Sequence, residues 1–400
     1  MRILLLGESS FVHSTLRKGF RELGHDVVVI SEGNKHNNCP RDVDLKRNMR
    51  YGVFGGLGVL WKLLINARYL FGNDIVQIHN FQFVPLKVGW NRILLMILKW
   101  GNKKLVKCCW TDDPVVFKGQ AAGMLRYSDT HIQTRVINDV EDNRKRFAEQ
   151  MMSDYIHCCD YANRRADALL PCLYEYYVYY NLPQYRDKLY YMPLPMEIPE
   201  TVFSVQCSVV SENKQLNTQD TIHNTENQLN TKHLTLNTPV KVLVGIQSKR
   251  DYMKGAGIIA GLVERVAAEN PGKIEVKRVY DVPYNEYLKM LDEADVLVDQ
   301  LYSYTPSMNS LAAMAHGTVV IGGGEEEYYE FIGEKTLRPI INVRPEDDEY
   351  NMKMLRDTLL YPNKIEQMKR EGLEFVHKHH DYVKVAEGLI VFYEKILAGK

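Results

Sequence analysis

The sequence predicts an α/β protein of two doubly wound domains facing across a cleft. Three observations carry the prediction. Short apolar runs alternate with helical stretches in two separate series, one opening at Arg2–Leu6 and the other at Val242–Ile246. A polar stretch almost without apolar period, Cys207–Thr238, separates them. Ala294–Glu330 reads as strand, polar loop, helix and strand, and two buried strands joined by a crossover helix pair in parallel. Two such series make two Rossmann-like lobes. The expected boundaries are 1–200 for a first domain, 201–239 for a polar linker or insert, 240–380 for a second domain, and 381–400 for a C-terminal helix able to pack back on the first.

Composition narrows the function classes. The chain has 50 basic and 50 acidic residues and no net charge, which argues against nucleic acid as a main partner. Its seven cysteines are odd in number, include two adjacent pairs and form no CxxC. That is a poor disulfide or zinc framework and fits a reducing cytoplasm. His157-Cys158-Cys159 offers no metal site either, because adjacent cysteines rarely share one tetrahedral ion. Met1–Ser10 turns polar too early for a leader and reads as a first buried strand. The apolar windows Tyr51–Phe71 and Val88–Trp100 are interrupted by Lys62, Asn66, Arg68, Asn91 and Arg92, so neither is a membrane span.

In order, Arg2–Leu6 is a strand, Gly7–Ser10 a turn, Ser14–Leu23 a helix stopped by Gly24, and Val27–Ile30 a second strand. Gly7 would let a ligand approach the backbone, although no GxGxxG marks a dinucleotide site. Residues 33–50 are loop-like. Helices at Val53–Leu70 and Pro85–Lys99 flank a strand at Asp74–Ile78, and Leu105–Cys109 is another strand. Their carboxyl ends carry His79-Asn80 and Trp110-Thr111-Asp112-Asp113. The helix Val88–Trp100, with Trp90, Trp100, Lys99, Lys103 and Lys104, either rests on a membrane surface or packs on the sheet behind a snorkelling rim. A charged helix Asn138–Ala148, a short strand in Arg164–Cys172 and the tyrosine-rich Leu173–Tyr180 follow. Those tyrosines either stack on sugar rings or pack at a domain face.

The second series runs strand Val242–Ile246, loop Gln247–Lys254, helix Ala256–Ala268, strand Ile274–Val279, helix Tyr284–Ala294 and a strand from Val296. A helix then starts with Thr305 as N-cap and Pro306 in its first turn, and stops at Gly317. Strands Thr318–Ile321 and Ile340–Val343 and helices near Glu346–Leu359, Lys364–Lys378 and Val383–Leu397 complete the chain.

Ligands of open parallel sheets lie beyond the carboxyl ends of the strands, which makes Gln300–Asn309 the functional loop, with free helix N–H groups facing an anion. Gln247–Gly255 adds three cations, Lys249, Arg250 and Lys254. Such a loop is either simply solvated or neutralises a departing diphosphate without a metal. After Gly322-Gly323-Gly324, which permit close backbone approach, Glu325 and Glu327 can accept from ribose or sugar hydroxyls.

Lys249-Arg250, Lys254-Gly255, Ala313-Met314-Ala315-His316-Gly317 and Val319-Val320, in this order, resemble the C-terminal domain of the group 1 (family 4 type) glycosyltransferases, which have the GT-B fold. Leu23-Gly24-His25-Asp26-Val27 and Asp74–His79 are similar to the same family's N-terminal domain. The resemblance implies transfer of a sugar from a nucleotide diphosphate sugar to a glycan or lipid-linked acceptor, with retention, without a metal, and with the nucleotide sugar as donor substrate rather than a bound cofactor. Lys249, Arg250 and Lys254 would hold the diphosphate, the backbone at Ser307, Met308 and Asn309 would face it, and Lys254 and Arg250 would assist departure. Two departures stand out. The family's glutamate pair falls on Tyr304 and Ala312, so Glu325 or Glu327 would have to take the ribose. The histidine that faces the donor sugar is replaced near Asp112, the residue expected to make that contact. These losses leave two alternatives, a GT-B scaffold that binds without turnover and a nucleotide-sugar epimerase. The expected location is cytoplasmic, with a peripheral seat at the inner face of the cell membrane as an option.

Overall fold

The computed structural model describes residues 1–34, 38–199 and 238–399, so the expected linker at 201–239 lies outside the described residues except for its last two positions. The chain forms two compact units, Met1–Pro195 with His379–Lys400, and Met196–Lys378.

The first unit contains β1 (Arg2–Leu6), β2 (Asp26–Ser31), β3 (Val43–Asp44), β4 (Ile75–Ile78), β5 (Lys104–Cys109) and β8 (Ala168–Pro171), with a hairpin β6 (His131–Ile132) and β7 (Arg135–Val136) outside the main sheet. The main sheet is six-stranded in the order β3-β2-β1-β4-β5-β8, and its pairings are parallel. Its helices are α1 (Val12–Glu22), α2 (Gly52–Ile65), α3 (Val88–Gly101), α4 (Pro114–Ala121), α5 (Glu141–Gln150), α6 (Ser153–Arg165) and α7 (Tyr174–Tyr180). Strands covered on both faces need continuous apolar runs; β1 and β8 supply them, and β4 is interrupted only by the buried Gln77. Leu4, Leu6, Val76 and Ile78 meet Val59 and Leu63 of α2 and Leu95 and Leu98 of α3 in one core.

Helix α6 and the shortened β8 differ from the expected strand at Arg164–Cys172. Arg164 and Arg165 close α6, and the strand begins at Ala168. The narrow buried stripe of α6, Cys158, Cys159 and Ala162, is masked in the sequence by charged neighbours. The described cysteines are buried free thiols.

The second unit contains β9 (Val240–Ile246), β10 (Ile274–Tyr280), β11 (Val296–Val298), β12 (Val319–Gly322) and β13 (Ile340–Asn342), ordered β10-β9-β11-β12-β13 and paired in parallel. Its helices are α8 (Asp251–Lys254), α9 (Ala256–Glu269), α10 (Tyr284–Glu293), α11 (Met308–Ala315), α12 (Glu326–Phe331), α13 (Asp348–Leu359) and α14 (Pro362–His379). Val242, Val244, Ile259, Val263, Val298, Ile321 and Leu355 form its core.

The chain then returns to the first unit as α15 (Tyr382–Leu397). This helix lies on α1 so closely that a Cβ on Gly19 would come within 2.8 Å of Ala386 Cβ. His380 Nδ1 donates to the Leu194 carbonyl at 2.9 Å, Tyr190 stacks on Phe392 with ring centroids 4.1 Å apart, and the Tyr393 hydroxyl bonds to Gln77 of β4.

Candidate functional site

In the second sheet β9 lies between β10 and β11, so the strand order reverses there. The carboxyl ends of β9 and β11 flank the crevice where open α/β sheets bind ligands. The chain after β9 makes one helical turn, α8, that ends at Gly255 in the left-handed region (φ 67°). The loop after β11 comes up against it, with Leu301 N donating to the Lys254 carbonyl at 2.7 Å. Asp299 closes β11 at 0% side-chain exposure and takes Lys254 Nζ at 3.3 Å. It also accepts from the Ser307 and Ser310 hydroxyls and from Asn309 Nδ2 at 3.2 Å. Burial by itself would push this carboxyl up, but the Lys254 charge and these hydrogen bonds outweigh it and hold the group below the usual carboxylate range. Asp299 therefore ties the cationic turn to the start of α11. Lys249 and Arg250 stand exposed on the same turn.

The N-cap expectation needs correction. The cap of α11 is Ser307, not Thr305, and its hydroxyl accepts from Asn309 N and Ser310 N at 3.2 and 3.4 Å. Thr305 and Pro306 are buried just ahead of the helix. The Asn309 and Ser310 amides expected to be free are thus held, though by long bonds, and the Asn309 side chain also accepts from Tyr287 OH at 3.1 Å. Met308 is half-buried in the first turn.

The triglycine segment also does something other than expected. A Cβ on Gly323 would fall 2.0 Å from the Ser303 carbonyl oxygen, so the close approach it permits is to the loop after β11. Glu325 is fully buried, and its carboxylate takes Arg344 through Nε and Nη2, each at 3.0 Å, and Asn342 Nδ2 at 3.0 Å. A carboxylate so occupied is not presented to a ribose, which corrects the expectation for Glu325. Glu327 is half-buried on α12, Tyr304 is 1% exposed, and Ala312 is half-buried on α11.

Two expected contacts lie in the first unit. Gly7 (φ 80°) faces the His79 ring, and a Cβ there would sit 1.8 Å from Nδ1. Gly7 N donates to the Ile30 carbonyl at 2.9 Å, and its own carbonyl accepts from His13 Nδ1 at 2.7 Å. The left-handed backbone and the His79 ring each require glycine at this position. The amides at the start of α1 are served by buried Glu8, whose carboxylate accepts from Ser9 N, His13 N and Ser14 N at 2.8, 3.2 and 2.9 Å. Burial pushes Glu8 up to about 7 against those bonds. Asp112, its side chain 34% exposed, pairs with Arg146, which also lies 3.4 Å from Asp129. Beside it, Asp113 caps α4 and pairs with fully buried Lys107 at 3.3 Å.

Sequence reasoning missed Asp299, Glu8 and Arg344. The signal for Asp299 was an acidic residue closing a fully apolar strand, a place where a buried charge needs a partner.

No family model matches the sequence, and no curated protein resembles it in sequence. Solved structures do share its fold. Sucrose-phosphate synthase from Thermosynechococcus elongatus superposes with a TM-score of 0.58 at 14% identity, covering 100% of both chains. WaaG, a glycosyltransferase involved in lipopolysaccharide biosynthesis, gives 0.56 at 12% identity over 100% of both chains. Anabaena HepE, in complex with UDP and glucose, gives 0.55 at 11% identity over 99% of this chain and 100% of its own. At these identities the likeness shows the fold, which is the GT-B fold of glycosyltransferases built from two Rossmann-like units.

Proposed function

We propose that the protein is a glycosyltransferase that moves a sugar from a nucleotide diphosphate sugar to a glycan or lipid-linked acceptor. The observation that supports this reading is the convergence, at the switch point of the second sheet, of the Lys249-Arg250-Lys254 turn and the start of α11 on buried Asp299. A diphosphate there would meet three cations on one side. On the other, its oxygens would replace the long Ser307 hydroxyl bonds to the Asn309 and Ser310 amides. Lys254 and Arg250 would offset the charge that builds on the departing diphosphate, the task a metal performs elsewhere. Glu327, half-buried on α12, is the glutamate assigned to ribose in this reading, and the UDP bound by HepE makes a uridine donor the first to try. The first unit would serve the acceptor, in a cytoplasmic enzyme seated peripherally on the membrane.

Lys254→Ala with Arg250→Ala is expected to abolish transfer and to weaken UDP binding in calorimetry by roughly a hundredfold, two charge-assisted contacts being lost. Unchanged affinity would reject the site. EDTA is expected to leave turnover unaffected, and a loss would put a metal where the cations are placed. Incubation with a panel of nucleotide sugars separates an enzyme, which releases free diphosphate slowly to water, from a scaffold that returns its ligand intact.

A further inference from the structure

We propose that the outward faces of α2 and α3 dock on an anionic lipid bilayer. Both helices are apolar on two opposite sides. Helix α3 packs Val88, Asn91, Leu95 and Leu98 against the sheet, while Trp90, Ile93, Ile97 and Trp100 face outward, Trp100 at 88% exposure. Helix α2 buries Gly55, Val59 and Leu63 and turns Phe54, Leu57, Trp61 and Leu64 outward, Phe54 at 77% exposure. The outer stripe of a surface helix facing only water is polar, and these stripes are not. The two helices are neighbours on one face of the sheet, since Leu63 of α2 lines the same apolar crevice as Leu94 and Ile97 of α3.

Charge selects the occupant. Residues 45–106 hold ten lysines and arginines against one acidic residue, Asp74, a net of 10 − 1 = +9 in a chain whose total is zero. Arg50, Arg68, Lys87 and Arg92 in this region are exposed. A second copy meeting through the same face would bring like charge against like charge, which costs binding. Anionic headgroups match the cations, while the tryptophans and Phe54 enter the boundary between headgroups and acyl chains. No helix among the described residues is long and apolar enough to cross a membrane, so the contact would be peripheral. It rests on the reading above for its purpose, access to a lipid-linked acceptor, but the face itself stands apart from the donor residues.

The test is cosedimentation of the full chain with vesicles of phosphatidylcholine alone and of an equal mixture with phosphatidylglycerol, at physiological salt. Partition into the anionic vesicles is expected to be roughly tenfold or more stronger, to weaken as salt rises, and to be lost in Phe54→Ser/Trp61→Ser/Trp100→Ser. UDP affinity of that variant is expected to be unchanged, so a failed docking surface and a failed donor site are read separately. Equal partition into both vesicles, no partition into either, or partition unaffected by the triple substitution would overturn the proposal. So would a concentration-dependent dimer that the same substitutions abolish, which would assign the face to a second copy.

Discussion

A carboxylate sealed from water needs its lone pairs met, and Asp299 meets them with one ammonium, two hydroxyls and an amide. Asp299→Ala strands Lys254 and the α11 cap together and is expected to cost about 3–5 kcal/mol, read by chemical denaturation. A loss below about 1 kcal/mol would mean that these bonds do not persist in solution. Glu8 makes the opposite case. Its ordinary value of 4.5 rises to about 7 in the folded chain, so between those values the folded state holds the extra proton. The stability it contributes is complete below about pH 4.5 and is lost as pH rises through 7, roughly 3 kcal/mol by linkage. In Glu8→Gln that loss is absent, and thermal melts across this window are expected to fall less steeply than in the parent; parallel profiles would refute the burial argument. None of these partners was legible in the sequence. Lys254 and Asp299 are 45 positions apart and Glu325 and Arg344 19 apart, and an ion pair across such a gap leaves no local period to read.

Helices and strands were far more legible, for a reason that also marks where reading failed. Strands buried on both faces appear as mainly apolar runs, so β1, β4, β5, β9 and β12 stand out even where Gln77, Lys107 and Lys241 interrupt them. Helix α4 hides behind Trp110–Asp113, although Asp113-Pro114 is itself a cap followed by a first-turn proline. The start of α11 was misplaced by two residues because Thr305 and Ser307 are both capping types, and it is Ser307 that takes the Asn309 and Ser310 amides and bonds to Asp299. Ser307→Ala is expected to cost about 1 kcal/mol through the cap and to loosen the Asp299 cluster. Ser307→Asp keeps a capping oxygen but sets a second carboxylate against Asp299, and is expected to weaken UDP binding more than the alanine does. Calorimetry on the pair checks this, and equal affinities would show that the cap lies away from the diphosphate.

At the scale of the molecule, two strand-helix series and the polar stretch between them were visible in the sequence, whereas the seat of the last helix depends on packing. Helix α15 buries Val385, Ala386, Leu389 and Tyr393, and large apolar side chains stabilise by about 1.5–3 kcal/mol each when buried. That sum rivals the whole stability of a typical domain. A chain of residues 1–195 is therefore expected to lack a cooperative melt, while the same chain joined by a short flexible linker to residues 379–399 is expected to regain one. The Leu194 to His380 hydrogen bond shows that such a linker has little distance to cover. Cooperative melting of residues 1–195 alone would refute this. The route of the chain has one more consequence, for biosynthesis. A ribosome delivers β1 well before Tyr393, with the whole second unit emerging in between. The sheet of the first unit thus waits, one flank uncovered, until α15 has been made, and a nascent chain stalled short of residue 380 would offer that flank to chaperones.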